Sequence, residues 1–221
     1  MIAREIGSTK AATAQVPVWD WAVRIGHWLL VAAFTIAYVT AEEESDGPDA
    51  WHVWSGYVIG AIIALRIVWG FVGPQHARFG DFVRGPIAAL SYLADLLRGR
   101  ARRYMGHSPA GGAMVILLLA FLAATVVTGL MAYGEAGKGP LAANVTWTTT
   151  AVYAAENEDE HARGEGRGEE EESAVGELHG ALANITLGLI VLHILGVGLA
   201  SVVHRENLVM AMIAGKKRAE D

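Results

Sequence analysis

The sequence predicts an all-α integral membrane protein, a bundle of four transmembrane helices with both termini on the cytoplasmic side. The mean hydropathy of the 221 residues is +0.34, and 53% are hydrophobic against 18% charged, which is unusual for a soluble domain. The charged residues also collect in blocks between long apolar runs. Four runs have the roughly 20 residues that a helix needs to cross the hydrocarbon core. The predicted spans are 21–41, 52–72, 112–133 and 178–203.

The first span contains an apolar stretch that resembles a secretory signal peptide. Arg24 and His27 lie in its front part, no small-residue cleavage site follows, and the second span begins soon afterwards. These features favour a retained helix. We expect residues 1–15 to form a mobile cytoplasmic N-terminus and residues 16–218 to form a single membrane domain.

Arginine distribution sets the predicted orientation. The connection between the second and third spans holds six arginines and only two acidic residues, Asp81 and Asp95. Because cytoplasmic connections are enriched in Lys and Arg, this connection and the basic tail at 216–218 are expected inside. The first connection and the third, 134–176, are acidic and are expected to be periplasmic. The second half of the third connection has few apolar residues to bury, which predicts disorder.

A short amphipathic helix is predicted over Pro86 to Arg98. Leu90 follows Ile87 by three residues, and Leu97 continues the same helical face. The segment has a proline at its start and a basic cluster after its end. We expect it to lie on the inner membrane surface.

Composition excludes several chemistries. The chain has no cysteine, so disulfides, thiolate zinc sites, iron–sulfur clusters and covalent c-type haem are excluded. The basic residues form short clusters at the ends of apolar runs, which is not the footprint of a nucleic-acid-binding protein. Any cofactor must therefore be held by histidine, methionine, carboxylates or packing.

Four histidines lie in the otherwise apolar spans, where ionisable residues are costly and usually face the bundle interior. His179 and His193 are 14 residues apart in the fourth span, which places them about 40° apart around the helix and about 21 Å apart along it. With the predicted chain directions, His52 matches the depth of His179 on the periplasmic side. His27 matches that of His193 on the cytoplasmic side. Two bis-histidine pairs at two depths are what two six-coordinate haems require.

Other residues near these histidines fit the same hypothesis. Arg66 shares the face of His52 at the depth of the cytoplasmic pair, and Arg24 lies one turn before His27; either could neutralise a haem propionate. Five glycines could leave room for a flat macrocycle: Gly26, Gly56, Gly60, Gly180 and Gly188. Each feature also has a simpler interpretation, because glycines pack membrane helices closely, arginines extend to the membrane surface and a membrane histidine can serve only as a helix contact.

The four remaining histidines are His76, His107, His161 and His204. We expect His161 to be solvated in the acidic connection. His107, just before the third span, is expected to cap that helix or order the loop, with contact to a propionate or a quinone as the alternative.

Several segments resemble the prokaryotic di-haem cytochrome b family, the group of bacterial cytochrome b561 and hydrogenase b-type cytochrome subunits. They include VPVWDWAVRIGHWLLVAAF, YMGHSPAGGAM and HGALANITLGLIVLHILGVGLASVVHRENLVMAMIAGKKR, and the similarity covers about Val16 to Arg218. It implies two non-covalent haems b whose axial ligands are His27, His52, His179 and His193. The acidic third connection is longer than the family leads us to expect.

The resemblance implies an electron relay in the bacterial cytoplasmic membrane, between quinone or quinol and a redox partner. That partner is expected to be a periplasmic c-type cytochrome or a membrane-anchored dehydrogenase or hydrogenase subunit, and a homodimer is open. Two bis-histidine sites leave no open coordination position, which favours a relay over oxygen activation. A quinone site is expected near Arg24, His27, Arg66 and His107.

Three alternatives stay open from the sequence. A membrane oxidoreductase, of the superoxide:quinone or ferric reductase type, would act directly on a small substrate through the same haems. A histidine-lined metal transporter would be colourless. A structural membrane anchor would tolerate loss of all four histidines.

Overall fold

The computed structural model of the chain describes residues 15–41, 49–142 and 173–219. Within these ranges, four helices are long and apolar enough to cross a membrane: α1 (Trp21–Val39), α2 (Ala50–Val72), α5 (Pro109–Glu135) and α6 (Ala174–Val203). Three shorter helices accompany them: α3 (Phe79–Phe82), α4 (Pro86–Leu97) and α7 (Leu208–Ala214). The predicted all-helical architecture with four candidate spans is confirmed. A small antiparallel sheet of β1 (Gln15–Pro17) and β2 (Lys216–Arg218) was not predicted.

Capping residues extend three of the four long helices beyond the apolar runs. The carboxylate of Asp49 accepts a hydrogen bond from the Trp51 amide, so α2 begins at Ala50 rather than at residue 52. Ser108 and Ser173 cap α5 and α6 in the same way, and these helices begin at residues 109 and 174 rather than 112 and 178. Such caps satisfy the free amides of the first helical turn. They lie outside the hydropathy signal because they are polar.

The long helices pack in a chain of neighbours, α1 on α2, α2 on α5 and α5 on α6. A buried cluster of Ala33, Ile59, Ile63 and Leu122 joins the first three. Helices α1 and α6 do not pack closely along their length. The histidines of the fourth helix therefore face α1 and α2 across an opening rather than across a close-packed seam.

The end of the bundle at which α2 ends and α5 begins is called the inner end below, and the opposite end the outer end. At the inner end, Tyr92 and Leu96 bury one side of α4, which packs on α5. The other side leaves Ile87 82%, Leu90 67% and Leu97 70% exposed. The predicted amphipathic helix is thus present over Pro86–Leu97, with its apolar stripe facing outward. Its placement on a membrane surface stays a prediction.

The sheet ties the two ends of the domain together at the inner end. Val16 pairs with Lys217, and Gln15, the last residue of the predicted mobile segment, pairs with Arg218 and is therefore part of the folded domain. The amides of Val18 and Trp19 then donate to the carbonyl of Gly215 at 2.8 and 3.1 Å.

Several predictions concern residues outside the described ranges. They are the mobility of residues 1–14, the location of the acidic residues 42–46, the disorder of the third connection over 143–172 and the position of His161. The two ends of the predicted loop 134–176 are helical, because α5 extends to Glu135 and α6 begins at Ala174.

Candidate haem-binding site

The structure brings the four span histidines together as two pairs. The ring centroids of His52 and His179 are 6.0 Å apart near the outer end, and those of His27 and His193 are 6.5 Å apart near the inner end. Two imidazoles that bind one transition-metal ion from opposite sides, each at about 2 Å, have centroids roughly 6 Å apart. Both separations fit a haem iron between the rings.

The outer pair has hydrogen bonds that orient both rings. Nδ1 of His52 lies 2.8 Å from the carbonyl oxygen of Ala37, and Nδ1 of His179 lies 2.9 Å from that of Thr125. A carbonyl only accepts, so each Nδ1 carries the hydrogen and donates it. Nε2 of each ring is then left with a lone pair for a metal. A histidine ligand that donates its other N–H to a carbonyl is the usual arrangement at metal sites.

The inner pair lacks this arrangement on one side. Nδ1 of His27 is buried and has no hydrogen-bond partner among the described residues. The ring packs edge-on against Trp28, with centroids 5.2 Å apart. A buried polar atom without a partner is costly, so its presence fits a site that a bound group completes.

A glycine of α5 makes room for the outer pair. A Cβ built on Gly129 would lie 2.8 Å from Cε1 of His179, closer than such atoms approach, so a larger residue would push the ring away. Gly129 is not among the glycines that the sequence pattern singles out, because the third span has no histidine. The signal that could have found it is a glycine at the depth of His179 in an otherwise bulky apolar span.

The five glycines singled out from the sequence fall into two groups. Added Cβ atoms on Gly56, Gly180 and Gly188 would meet nothing within 4 Å, as expected beside an open space. One on Gly60 would lie 3.2 Å from Val126, and one on Gly26 would lie 3.8 Å from Ile62. These last two glycines serve helix packing rather than an opening.

The two candidate arginines differ in what they contact. The guanidinium of Arg66 lies over the rings of Phe79 and Phe82, 5.2 and 5.9 Å from their centroids, and its Nη1 is buried without a partner among the described residues. Arg24 instead donates to the carbonyls of Met212 and Ile213 in the last turn of α7. Arg66 therefore keeps a donor for an anionic group, whereas Arg24 is engaged with the backbone.

The other described histidines take structural positions at the inner end. His107 packs between Trp19 and Phe82, with ring centroids 4.6 and 4.4 Å away. Burial, followed by the nearby charges of Arg66 and Lys217, lowers the pKa of His107 to about 3, so its ring is neutral near pH 7. Of its two predicted roles, it orders the loop; the cap of α5 is Ser108.

His76 and His204 each have a side-chain partner. Nδ1 of His76 lies 3.1 Å from a carboxylate oxygen of Asp81. The hydroxyl of Tyr92 lies 3.1 Å from Nε2 of His204, the residue at the end of α6. No group of three or more His, Asp or Glu side chains among the described residues converges on a metal site.

Comparisons with known proteins identify the family of the chain. A family model described as prokaryotic cytochrome b561 matches residues 18–215, a range that includes all four long helices. Over 158 residues, the chain is 28% identical to a protein of Bradyrhizobium diazoefficiens named "Probable Ni/Fe-hydrogenase B-type cytochrome subunit". The match covers 60% of this chain and 63% of that relative, so the chain spans less than two thirds of the relative's length. No solved structure matches the chain. The chain belongs to the prokaryotic cytochrome b561 family and is a multi-pass, haem-binding membrane protein of electron transport.

Proposed function

We propose that the chain binds two haems b, one between His52 and His179 and one between His27 and His193, and relays electrons between them across the membrane. The proposal rests on the distances between the ring centroids within each pair, which are 6.0 Å for His52 and His179 and 6.5 Å for His27 and His193. Haem supplies one-electron chemistry at its iron. Two imidazoles held at each iron would leave no coordination position for a substrate.

The chain's own residues hold each ring in place. At the outer pair, the carbonyls of Ala37 and Thr125 fix the tautomer of both imidazoles and raise their basicity as ligands. At the inner pair, Arg66 offers an unpartnered N–H to a propionate. The positive charge of its guanidinium would offset the negative charge of that group in a low-dielectric setting.

The spacing of the two pairs along α6 supports a direct relay. His179 and His193 lie on one helix, 14 residues and therefore about 21 Å apart. Between them, Thr186 is fully buried and its hydroxyl donates to the backbone at Leu182. Because both histidines are fixed on one helix, electrons can pass between the two sites without a moving part.

The charge distribution indicates which end of the bundle faces the cytoplasm. The inner end carries the arginine-rich connection between α2 and α5, so we place this end and both termini in the cytoplasm. The acidic first and third connections then face the periplasm of a bacterial cytoplasmic membrane. A quinone site belongs at the inner end near Arg66 and His107.

The name of the relative supports a hydrogenase-type partner, and we place its contact at the outer surface. In that case, His52 and His179 would hold the haem that accepts electrons from a membrane-anchored subunit, and His27 and His193 would hold the haem that supplies them to quinone. The acidic connections also suit a basic c-type cytochrome. Pull-down of the tagged, haem-loaded chain from its own membranes, with a readout of hydrogen-dependent haem reduction, distinguishes the two partners.

A vesicle experiment tests the relay itself. The purified haem-loaded chain is placed in vesicles with ferricyanide trapped inside and dithionite outside, and the loss of ferricyanide colour is followed. The proposal predicts that electrons cross with the native chain and with the control H76Q. It predicts at least a tenfold slower rate with H27A or H52A, because each removes one of the two stations. Equal rates in all four proteins would contradict it.

A further inference from the structure

A cavity of about 370 Å³ opens at the inner end of the bundle. The ionisable side chains that line it are those of His76, Asp81, Arg84, Arg102, Arg103 and His107, with Tyr104 beside them. Its volume is at the lower end of the range for small-molecule sites. The proposed electron relay uses none of these side chains except, near the quinone site, His107.

The cavity has an excess of positive charge. Among the described residues, Arg103 forms an ion pair with Glu206 at 2.8 Å, and a carboxylate oxygen of Asp81 lies 3.1 Å from Nδ1 of His76. Neither contact includes Arg84 or Arg102, so the cavity holds two guanidinium groups outside any ion pair against the one carboxylate of Asp81. Guanidinium groups with unused donors match the geometry of a phosphate.

The cavity wall is fixed by packing around its charged groups. The guanidinium of Arg84 lies over the ring of Tyr104, 4.8 Å from its centroid. A Cβ on Gly106 would lie 3.1 Å from Nδ1 of His76, so the backbone runs against the His76–Asp81 pair. His107 closes the inner side of the cavity wall, with its ring packed between Trp19 and Phe82.

The cavity adjoins the exposed apolar stripe of α4. Arg84 precedes the first residue of that helix by two positions, and Tyr104 packs on the buried side of α4 through Tyr92, with ring centroids 5.7 Å apart. On the opposite side, Ile87 is 82% and Leu97 70% exposed. A charged cavity and an apolar stripe on one small unit, at the end of the spanning helices, match a ligand with an anionic head and apolar chains.

We propose that this cavity binds the phosphate headgroup of an anionic phospholipid, whose acyl chains lie along the apolar stripe of α4. Arg84 and Arg102 would hold the phosphate. Inorganic phosphate has the same charged group but no apolar part that could use the stripe. The proposal concerns a site separate from both histidine pairs, so it can fail while the haem relay stands.

The test uses the full haem-loaded chain in detergent and measures binding of phosphatidylglycerol by native mass spectrometry. The variant R84Q/R102Q is compared with R98Q/R100Q, which removes the same charge from the same connection at exposed positions outside the cavity. A basic group near an anionic lipid strengthens binding about fivefold. We therefore expect R84Q/R102Q to bind phosphatidylglycerol roughly twentyfold more weakly, and R98Q/R100Q to bind within about twofold of the native chain.

Three further readouts decide the interpretation. Phosphatidylcholine should bind far more weakly than phosphatidylglycerol, and 10 mM inorganic phosphate, a concentration on the order of a weak anion affinity, should not displace the lipid. The haem content of R84Q/R102Q should equal that of the native chain. Equal weakening in both double variants, displacement by inorganic phosphate, equal binding of the two lipids or loss of haem in R84Q/R102Q would each overturn the proposal.

Discussion

Gly129 of α5 lies directly against the ring of His179 on α6, where a Cβ would come within 2.8 Å of Cε1. The same ring donates to the carbonyl of Thr125, one turn earlier in α5, at 2.9 Å. The third span, which carries no histidine, thus sets the position and tautomer of a proposed ligand on the fourth. Helices α5 and α6 act as one unit in building the outer pair.

We predict that Gly129→Ala impairs the outer haem selectively. The added methyl must displace His179 or move α5, and either change weakens the Thr125 bond that orients the ring. Haem content should fall from about two towards about one per chain, and a redox titration should lose one of two components. The control is Gly80→Ala, where a Cβ meets nothing within 4 Å. Full haem content in Gly129→Ala would count against this role of the glycine.

The carboxylate of Asp20 links the start of α1 to the end of α2 by hydrogen bonds. Asp20 caps α1 by accepting from the amides of Ala22 and Val23, and it also accepts from Nε1 of Trp69 at 3.2 Å. We predict that Asp20→Ala lowers the free energy of unfolding by about 2–3 kcal/mol, because a cap and a helix-to-helix hydrogen bond are both lost. Asp49→Ala, which removes a cap alone, should lower it by about 1 kcal/mol. Thermal unfolding followed at the haem absorption band would compare the two; equal effects would show that the Trp69 bond adds nothing.

Acid sensitivity should depend on His107. Its folded pKa of about 3 lies below the ordinary value of 6.5, so the unfolded chain binds the extra proton between these two values. Stability from this residue is complete above about pH 6.5 and is lost as the pH falls towards 3, by at most about 1.4 kcal/mol per pH unit. In His107→Phe, which keeps a ring between Trp19 and Phe82, the fall in unfolding free energy between pH 6.5 and pH 4 should be shallower. An identical slope in the variant and the native chain would refute the assignment.

The long helices and α4 could be predicted from the sequence because each depends on the composition of its own segment. Length and hydropathy located the four long helices to within four residues at every end, and periodicity located α4. The remaining error came from polar caps such as Ser108 and Ser173. A hydropathy run stops at the first polar residue, whereas a helix continues to its cap.

The missed features depend on contacts between distant parts of the chain. The pairing of β1 with β2 joins three-residue strands at opposite ends of the domain, which are too short to show an alternating pattern. Backbone carbonyls such as those of Ala37 and Thr125 have no residue-type signal at all. The partners of Arg24 had no sequence signal for the same reason, since they are backbone carbonyls at the end of α7.

The identity of the histidine partners is the central claim, and counting haem in paired variants tests it most directly. Pyridine haemochrome assays on the purified native chain should give about two haems b per chain. The double variants H52A/H179A and H27A/H193A each empty a single site, so each should retain about one haem. The crossed variants H52A/H27A and H179A/H193A each damage both sites and should retain almost none. Crossed variants that keep one haem, or four single variants that keep both, would contradict the account.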